Sequence, residues 1–259
     1  MPETLLDAVS AVGREVGAMV FARWKGEFRR WEKSPGEPVC DVDLEADAML
    51  RERLSAIDPE AGWLSEESAD SAERLMRVRT WLVDPIDGTR DFVRGRDGWS
   101  ISIALAEGGR PIIGVLDAPA RGQHWRAQAG GGATLNGVRL RVTPRAQFAG
   151  SRVPADMLPQ VDADLVSVAK PNSIALRIAM IASGEADLLA TLRWGHEWDI
   201  AAAALIAQEA GAIVTDACGK PLRYNSTFGE MFGVLATAPG IHAAAVDRLT
   251  ERAAAAILR

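Results

Sequence analysis

Hydrophobic positions divide this chain into two textures. Between Glu3 and Trp24 the residues Leu5, Leu6, Val9, Val12, Val16, Met19 and Val20 recur at intervals of three and four, which predicts an amphipathic helix. The breaker-rich stretch Glu32 to Pro38 predicts a loop. A second helix is expected from about Asp43 through Met49, Leu50 and Leu54, stopping before Asp58-Pro59. From Trp81 to Ala118 the pattern shortens to β-rich runs, Trp81 to Val83, Ser100 to Leu105 and Ile112 to Leu116, followed by Gln123 to Ala127 and Val138 to Val142 around Gly130-Gly131-Gly132. These runs predict an antiparallel sheet.

Beyond a loose boundary near residue 150 the two patterns alternate. Strands are expected at Leu165 to Val168, Asp187 to Ala190, Ala212 to Thr215 and Phe232 to Leu235. Helices are expected at Ser173 to Ser183, Asp199 to Ala210 and Ile241 to Leu258. Alternation of this kind predicts a layered α/β half covering 151–259, joined to an α+β half covering 1–150. The Ala-rich helices reflect helix propensity at this level of reading.

Composition narrows the function. The chain has 259 residues, 48% of them apolar and 25% charged, so a large core can form and disorder is excluded. A net charge of −6 gives no basic face for nucleic acid. Two cysteines, Cys40 and Cys218, cannot staple a secreted fold or make a four-cysteine metal site, and a reducing cytoplasm is the expected location. The amino terminus does not read as a signal peptide. The longest apolar runs, such as Ile200 to Ala207, fall far short of the about 20 residues that span a bilayer.

Chemistry concentrates in Trp81-Leu82-Val83-Asp84-Pro85-Ile86-Asp87-Gly88-Thr89. An apolar strand delivers Asp84, Pro85 is expected to turn the chain, and Asp87 follows three residues later. Both carboxylates can then face one point. Two such charges about 4 Å apart repel by about 4 kcal/mol at an effective dielectric near 20, which calls for protonation or a cation. Oxygen-only ligands suit Mg²⁺. Gly88 allows close backbone approach, and Thr89-Arg90 is expected to open a helical turn whose free N–H groups suit a phosphate. Glu66-Glu67 follows Trp63-Leu64 eighteen residues before Asp84, and Asp199 opens a downstream helix, where it could cap or bind metal. Taken singly, each has a plainer reading: Asp199 as an N-cap, Glu66-Glu67 as a solvated loop, Asp-Pro-Ile-Asp-Gly as a turn, His196 as a structural histidine.

Together the blocks resemble the inositol monophosphatase superfamily of Mg²⁺-dependent, lithium-sensitive phosphatases. They are Asp43 after Val39 to Val42; Glu66-Glu67-Ser68; Trp81 to Thr89; Leu135-Asn136-Gly137; Gly184 to Asp187; His196-Glu197-Trp198-Asp199; and Gln208 to Gly211. The resemblance implies a layered αβαβα sandwich and hydrolysis of a small phosphomonoester. It implies one Mg²⁺ on Glu66, Asp84 and the Ile86 carbonyl, a second on Asp84, Asp87 and Asp199, and a loosely held third near Glu66. It further implies a water oriented by Thr89, itself linked to Asp43; phosphate held by the Gly88 and Thr89 N–H groups; and His196 on the phosphate or leaving-group side. Relatives are commonly homodimers, and a homodimer is expected here.

For the substrate, Arg90-Asp91-Phe92, Gly219 to Tyr224 and a basic Arg177 look like the 3′(2′),5′-bisphosphate nucleotidase branch, and Arg177 is expected to receive a second phosphate. Inositol 1-phosphate is the alternative; histidinol phosphate and fructose 1,6-bisphosphate follow, as does a non-catalytic role through a protein partner. Ser65 stands where the family usually has Gly, and Cys40 where it usually has Thr, which predicts lower metal affinity than in the family at large.

Overall fold

A computed structural model describes residues 4–34 and 36–257. In chain order it contains α1 (Leu5–Arg23), β1 (Arg30–Ser34), β2 (Glu37–Cys40), α2 (Asp41–Ile57), β3 (Gly62–Ser65), β4 (Arg79–Asp87), α3 (Thr89–Val93), β5 (Ser100–Glu107), β6 (Arg110–Ala118), β7 (Gln123–Gln128), β8 (Gly132–Leu135) and β9 (Val138–Arg139). There follow β10 (Arg152–Pro154), β11 (Val166–Val168), α4 (Ile174–Ala182), β12 (Leu188–His196), α5 (Glu197–Glu209), β13 (Ile213–Thr215), β14 (Glu230–Thr237) and α6 (His242–Ile257).

Five layers result. Helices α1 and α2 cover one face of a seven-stranded sheet ordered β3-β4-β5-β6-β7-β8-β9, in which only β3 and β4 run parallel. Helices α4 and α5 cover its other face, a three-stranded antiparallel sheet ordered β12-β14-β13 lies beyond them, and α6 closes the stack. This is the expected αβαβα sandwich.

The patterning explains the layers. On β4, Trp81 and Val83 join the core against α1 and α2, while Leu82 points to the opposite core with Ala201 to Ala204 of α5, as strand alternation requires. Helix α5 is buried almost all round because it lies between two sheets. Its alanines therefore serve close packing and not only helix propensity: a Cβ on Gly114 of β6 would come within 2.7 Å of the Ala202 carbonyl. The first helix is fastened to the sheet by a buried polar relay, Ser10 Oγ to His124 Nε2 at 2.6 Å and His124 Nδ1 to Asp117 Oδ1 at 2.7 Å.

Several expectations need correction. The segment expected as a plain loop belongs to a hairpin, β1 with β2, in which Glu32 pairs with Pro38 and Ser34 with Glu37; Pro35 lies outside the described residues. The second helix begins at Asp41, two residues early, with Cys40 at its N-cap. Pro85 does not end its strand; β4 continues to Asp87 through a register shift between Asp84 and Asp87, where a residue lacking an N–H is tolerated. The last two runs of the large sheet are three strands, because Asn136 (φ 50°) and Gly137 (φ 81°) make a tight turn between β8 and β9. Strand β12 extends six residues past Ala190. The expected starts and ends at Glu3 and Leu258 lie outside the described residues. Among the described residues no helix is long and apolar enough to cross a membrane.

Candidate active site

The carboxyl ends of β3 and β4 and the start of α5 meet at a pocket of about 420 Å³. Parallel pairing of β3 with β4, Ser65 opposite Val83, places Glu66 beside the strand that carries Asp84. Asp199 enters from the other side of the sheet layer, in the first turn of α5, where an acid also favours the helix dipole. Carboxylate oxygens of Glu66, Asp84 and Asp199 all lie within 4.8 Å of one another. The structure thus brings three of the four expected acids into one cluster.

Asp87 lines the same pocket outside that tight trio, and its charge acts on all three of those acids. Its Oδ2 accepts from the Ser173 hydroxyl and, at 2.7 Å, from the Ala175 N–H, and its Oδ1 accepts from Ile174 N at 3.2 Å, so it also caps α4. The N-cap of α5 is His196, and Asp199 is its third helical residue.

Electrostatics follow from this packing. Asp84, 2% exposed, is pushed well above the ordinary carboxylate range by burial and then by repulsion from Glu66, Asp87 and Asp199. Burial and the charges of Asp87 and Glu66 push Asp199 up likewise. Three close carboxylates with raised proton affinity, offering hard oxygen donors, fit a divalent cation, whose charge removes the repulsion. Ile86 lies in the same loop: its N–H donates to Asp84 Oδ1 at 3.0 Å, and its carbonyl accepts from the Thr89 hydroxyl at 2.9 Å.

Thr89 Oγ1 also lies 3.1 Å from Asp43 Oδ1, so the expected link between these residues is present. Asp43, the N3 residue of α2, accepts at Oδ2 from the Cys40 N–H and Sγ, both at 2.8 Å. Burial raises the Asp43 carboxyl to about 6. The Cys40 thiol, pushed up by burial and the neighbouring carboxylate, stays protonated and donates to Asp43, so at the start of α2 it is the Asp43 carboxylate that does the accepting. Gly88 (φ 95°) precedes α3; a side chain there would meet the Gly98 carbonyl at 2.6 Å and Ser173 N at 2.9 Å. His196 lines the pocket with its ring stacked on Trp198 at 4.2 Å.

Ser65 donates to Asp47 Oδ1 at 2.5 Å, and Ser68 donates to the other oxygen of the same carboxylate, so the segment carrying Glu66 is pinned at both ends. Arg177 lines the pocket too, with Nε donating to the Pro171 carbonyl at 2.8 Å and Nη2 to that of Asn172.

Sequence reasoning missed Lys33. From the hairpin it donates to Glu67 Oε1 at 2.5 Å and lies 3.5 Å from Glu66 Oε1. No local pattern marks it, since the hairpin itself read as a loop. Glu197, fully buried, was also missed; it accepts from Ser226 N at 2.9 Å and from Asn225 N, tying the loop before β14 to the start of α5.

The chain is similar to known proteins over most of its length. A model of the inositol monophosphatase family matches residues 1–258. A fructose-1,6-bisphosphatase/inositol-1-monophosphatase from Thermotoga maritima is 34% identical over 218 residues, covering 80% of this chain and 82% of the relative. The 3′(2′),5′-bisphosphate nucleotidase CysQ of Escherichia coli is 29% identical over 231 residues, covering 85% and 94%. The Thermotoga maritima IMPase structure superposes with a TM-score of 0.83 at 30% identity, covering 97% of this chain and 98% of that one.

Proposed function

Because the chain belongs to the inositol monophosphatase family, whose members are phosphoric monoester hydrolases, we propose that it cleaves a small bisphosphorylated nucleotide such as 3′-phosphoadenosine 5′-phosphate in a Mg²⁺-dependent reaction. The observation that carries the phosphatase reading is the Glu66, Asp84 and Asp199 cluster beside the Thr89 and Asp43 pair.

These three acids, with Asp87 and the Ile86 carbonyl, would hold two Mg²⁺ ions, with a third near Glu66. When bound, Mg²⁺ polarises the phosphoryl oxygens and neutralises charge developing on the attacking and leaving oxygens. The chain's own residues do the rest. Thr89 accepts a hydrogen bond from the attacking water, and Asp43, with its carboxyl near 6, serves as the proton acceptor behind it at neutral pH. Backbone N–H groups of Gly88 and Thr89 hold the phosphate in line.

Charge around the pocket supports the bisphosphate. Lys33, Arg90, Arg177 and Arg193 line it against Glu66, Asp84, Asp87 and Asp199, with Asp43 and Glu67 directly behind, so the acids exceed the cations by two and two bound divalent ions leave a net positive site. A substrate with a second phosphate matches that surplus better than a neutral polyol ring. Inositol 1-phosphate is the second reading, favoured by the inositol-1-monophosphatase name borne by the Thermotoga maritima relative.

Phosphate release measured in parallel on the nucleotide, inositol 1-phosphate, histidinol phosphate and fructose 1,6-bisphosphate tests the assignment. The highest kcat/KM is expected for the nucleotide, and Arg177→Gln is expected to lower that value about tenfold or more while changing inositol 1-phosphate turnover less. A preference for inositol 1-phosphate would reverse the ranking, and no release from any ester would remove the enzyme.

A further inference from the structure

Among the described residues lining the two spaces, Arg177 alone is shared by the catalytic pocket and a second cavity of about 440 Å³. That cavity lies between β10, β12 and α6. Its floor is apolar: Val153, Leu165, Leu188, Ala190 and Leu249 contribute to it, and Leu188 and Leu249 are only 4% and 6% exposed. Its rim is cationic, since Lys170, Arg177, Arg248 and Arg252 face it against the lining acids Asp156 and Asp162, with Asp164 behind Arg248.

Three of the cations have carboxylate partners. Lys170 Nζ lies 2.6 Å from Asp156 Oδ2, Arg252 Nη1 lies 2.8 Å from Asp162 Oδ2, and Arg248 grips Asp164 at 2.9 and 3.0 Å while its guanidinium sits 4.9 Å from the centre of the Phe148 ring. Arg177 differs. Its hydrogen bonds go to the neutral carbonyls of Pro171 and Asn172, and no carboxylate among the described residues pairs with it directly.

Asp87, Asp156 and Asp91 act on the Arg177 guanidinium without bonding it directly, so its direct contacts are with neutral acceptors and an anion in contact is its natural complement. A bare inorganic ion would satisfy the rim but leave the apolar floor in contact with water. The volume falls in the range of small-molecule sites, which are lined mainly by apolar groups with a few polar ones fixing orientation.

We propose that this cavity binds a small amphipathic anion, an aromatic or branched aliphatic body carrying one carboxylate, sulfonate or phosphate, separately from the ester that is hydrolysed. The body covers the floor between β12 and α6, the charged group meets Arg177 and the rim, and occupancy alters KM at the catalytic pocket through Arg177.

Calorimetric titration of the full chain with 1-anilinonaphthalene-8-sulfonate tests this. One saturable site is expected, retained in Mg²⁺ with excess inorganic phosphate, its affinity shifted by no more than the several-fold coupling expected in KM. The Arg248→Gln/Arg252→Gln double variant is expected to weaken binding about tenfold, and Leu192→Trp, which fills the cavity from β12, is expected to remove it. Both variants leave the metal cluster untouched, and folding is checked by thermal melting. In steady-state assays the probe is expected to shift KM several-fold in the unmodified protein and not in Leu192→Trp. Binding that does not saturate, is displaced by phosphate, or survives both variants overturns the site. Binding without any change in KM overturns the coupling.

Discussion

Two carboxylates flank the same strand and live opposite lives. Asp187 sits immediately before β12 and is buried; Asp199 sits shortly after it and is partly buried in the pocket. Asp187 accepts from Arg152 Nε and Nη2, both at 2.9 Å, from Arg152 N at 3.0 Å and from Thr143 Oγ1 at 2.8 Å. These donors outweigh burial and bring its carboxyl down to about 2. Asp199 faces Glu66 and Asp84 instead and is driven upward. A buried charge that is fully answered holds architecture, whereas one left among its own kind demands an incoming cation.

The contrast is open to attack at several points. Asp199→Asn should lower Mg²⁺-dependent phosphate release about 10³-fold. The same change should raise the melting temperature of the metal-free protein, because it removes like-charge repulsion. Unchanged turnover would show that Asp199 is not part of the chemistry. Asp187→Asn should behave the other way, costing about 2 to 3 kcal/mol in urea unfolding by leaving Arg152 without its charge partner. If the variant unfolds at the same urea concentration, the tie between Arg152 and Asp187 is not structural.

Acidity separates the two sites further. The folded-state value of Asp187 lies below its ordinary 3.8, so its contribution to stability is present above that pH and fades as pH falls towards about 2. Asp84 and Asp199 have raised values, so in the metal-free protein their cost grows as pH rises from the ordinary carboxylate range towards neutrality, and mild acidification should stabilise it. Saturating Mg²⁺ should flatten that slope, and melting curves with and without the ion between pH 5 and 7.5 would expose a failure. The smallest effect concerns thiols. Cys40, buried and with its thiol held protonated beside Asp43, should resist iodoacetamide in the folded protein, while exposed Cys218 reacts. Mass spectrometry that finds Cys40 modified first would undo this placement of Asp43.

How far the residues themselves disclosed the site differs from block to block. Asp84, Gly88 and Thr89 were legible because a β run ending in acids, a glycine and a hydroxyl has few other uses. The blocks around Asn136, Asp187 and Glu209 looked equally informative and turned out architectural. Asn136 makes a turn and accepts from His124 N at 2.9 Å, and Glu209 accepts from the N–H groups of Gly130 and Gly132 at 2.7 Å each. Asp87 is both, lining the pocket and capping α4. Ser65 read as a departure, yet its hydroxyl finds Asp47, a residue no spacing argument singles out. Lys33 stayed invisible since its role depends on a hairpin whose pairing the breakers concealed.

By itself the amino-acid order determined the strands, the helices and the local carriers of charge, because periodicity and turn chemistry act over a few neighbouring positions. Which acids converge, which find an arginine, and where Arg177 stands between two spaces were decided only by the stacked sheets. Burial sets the cost of a charge, and burial exists only once distant segments have closed around it.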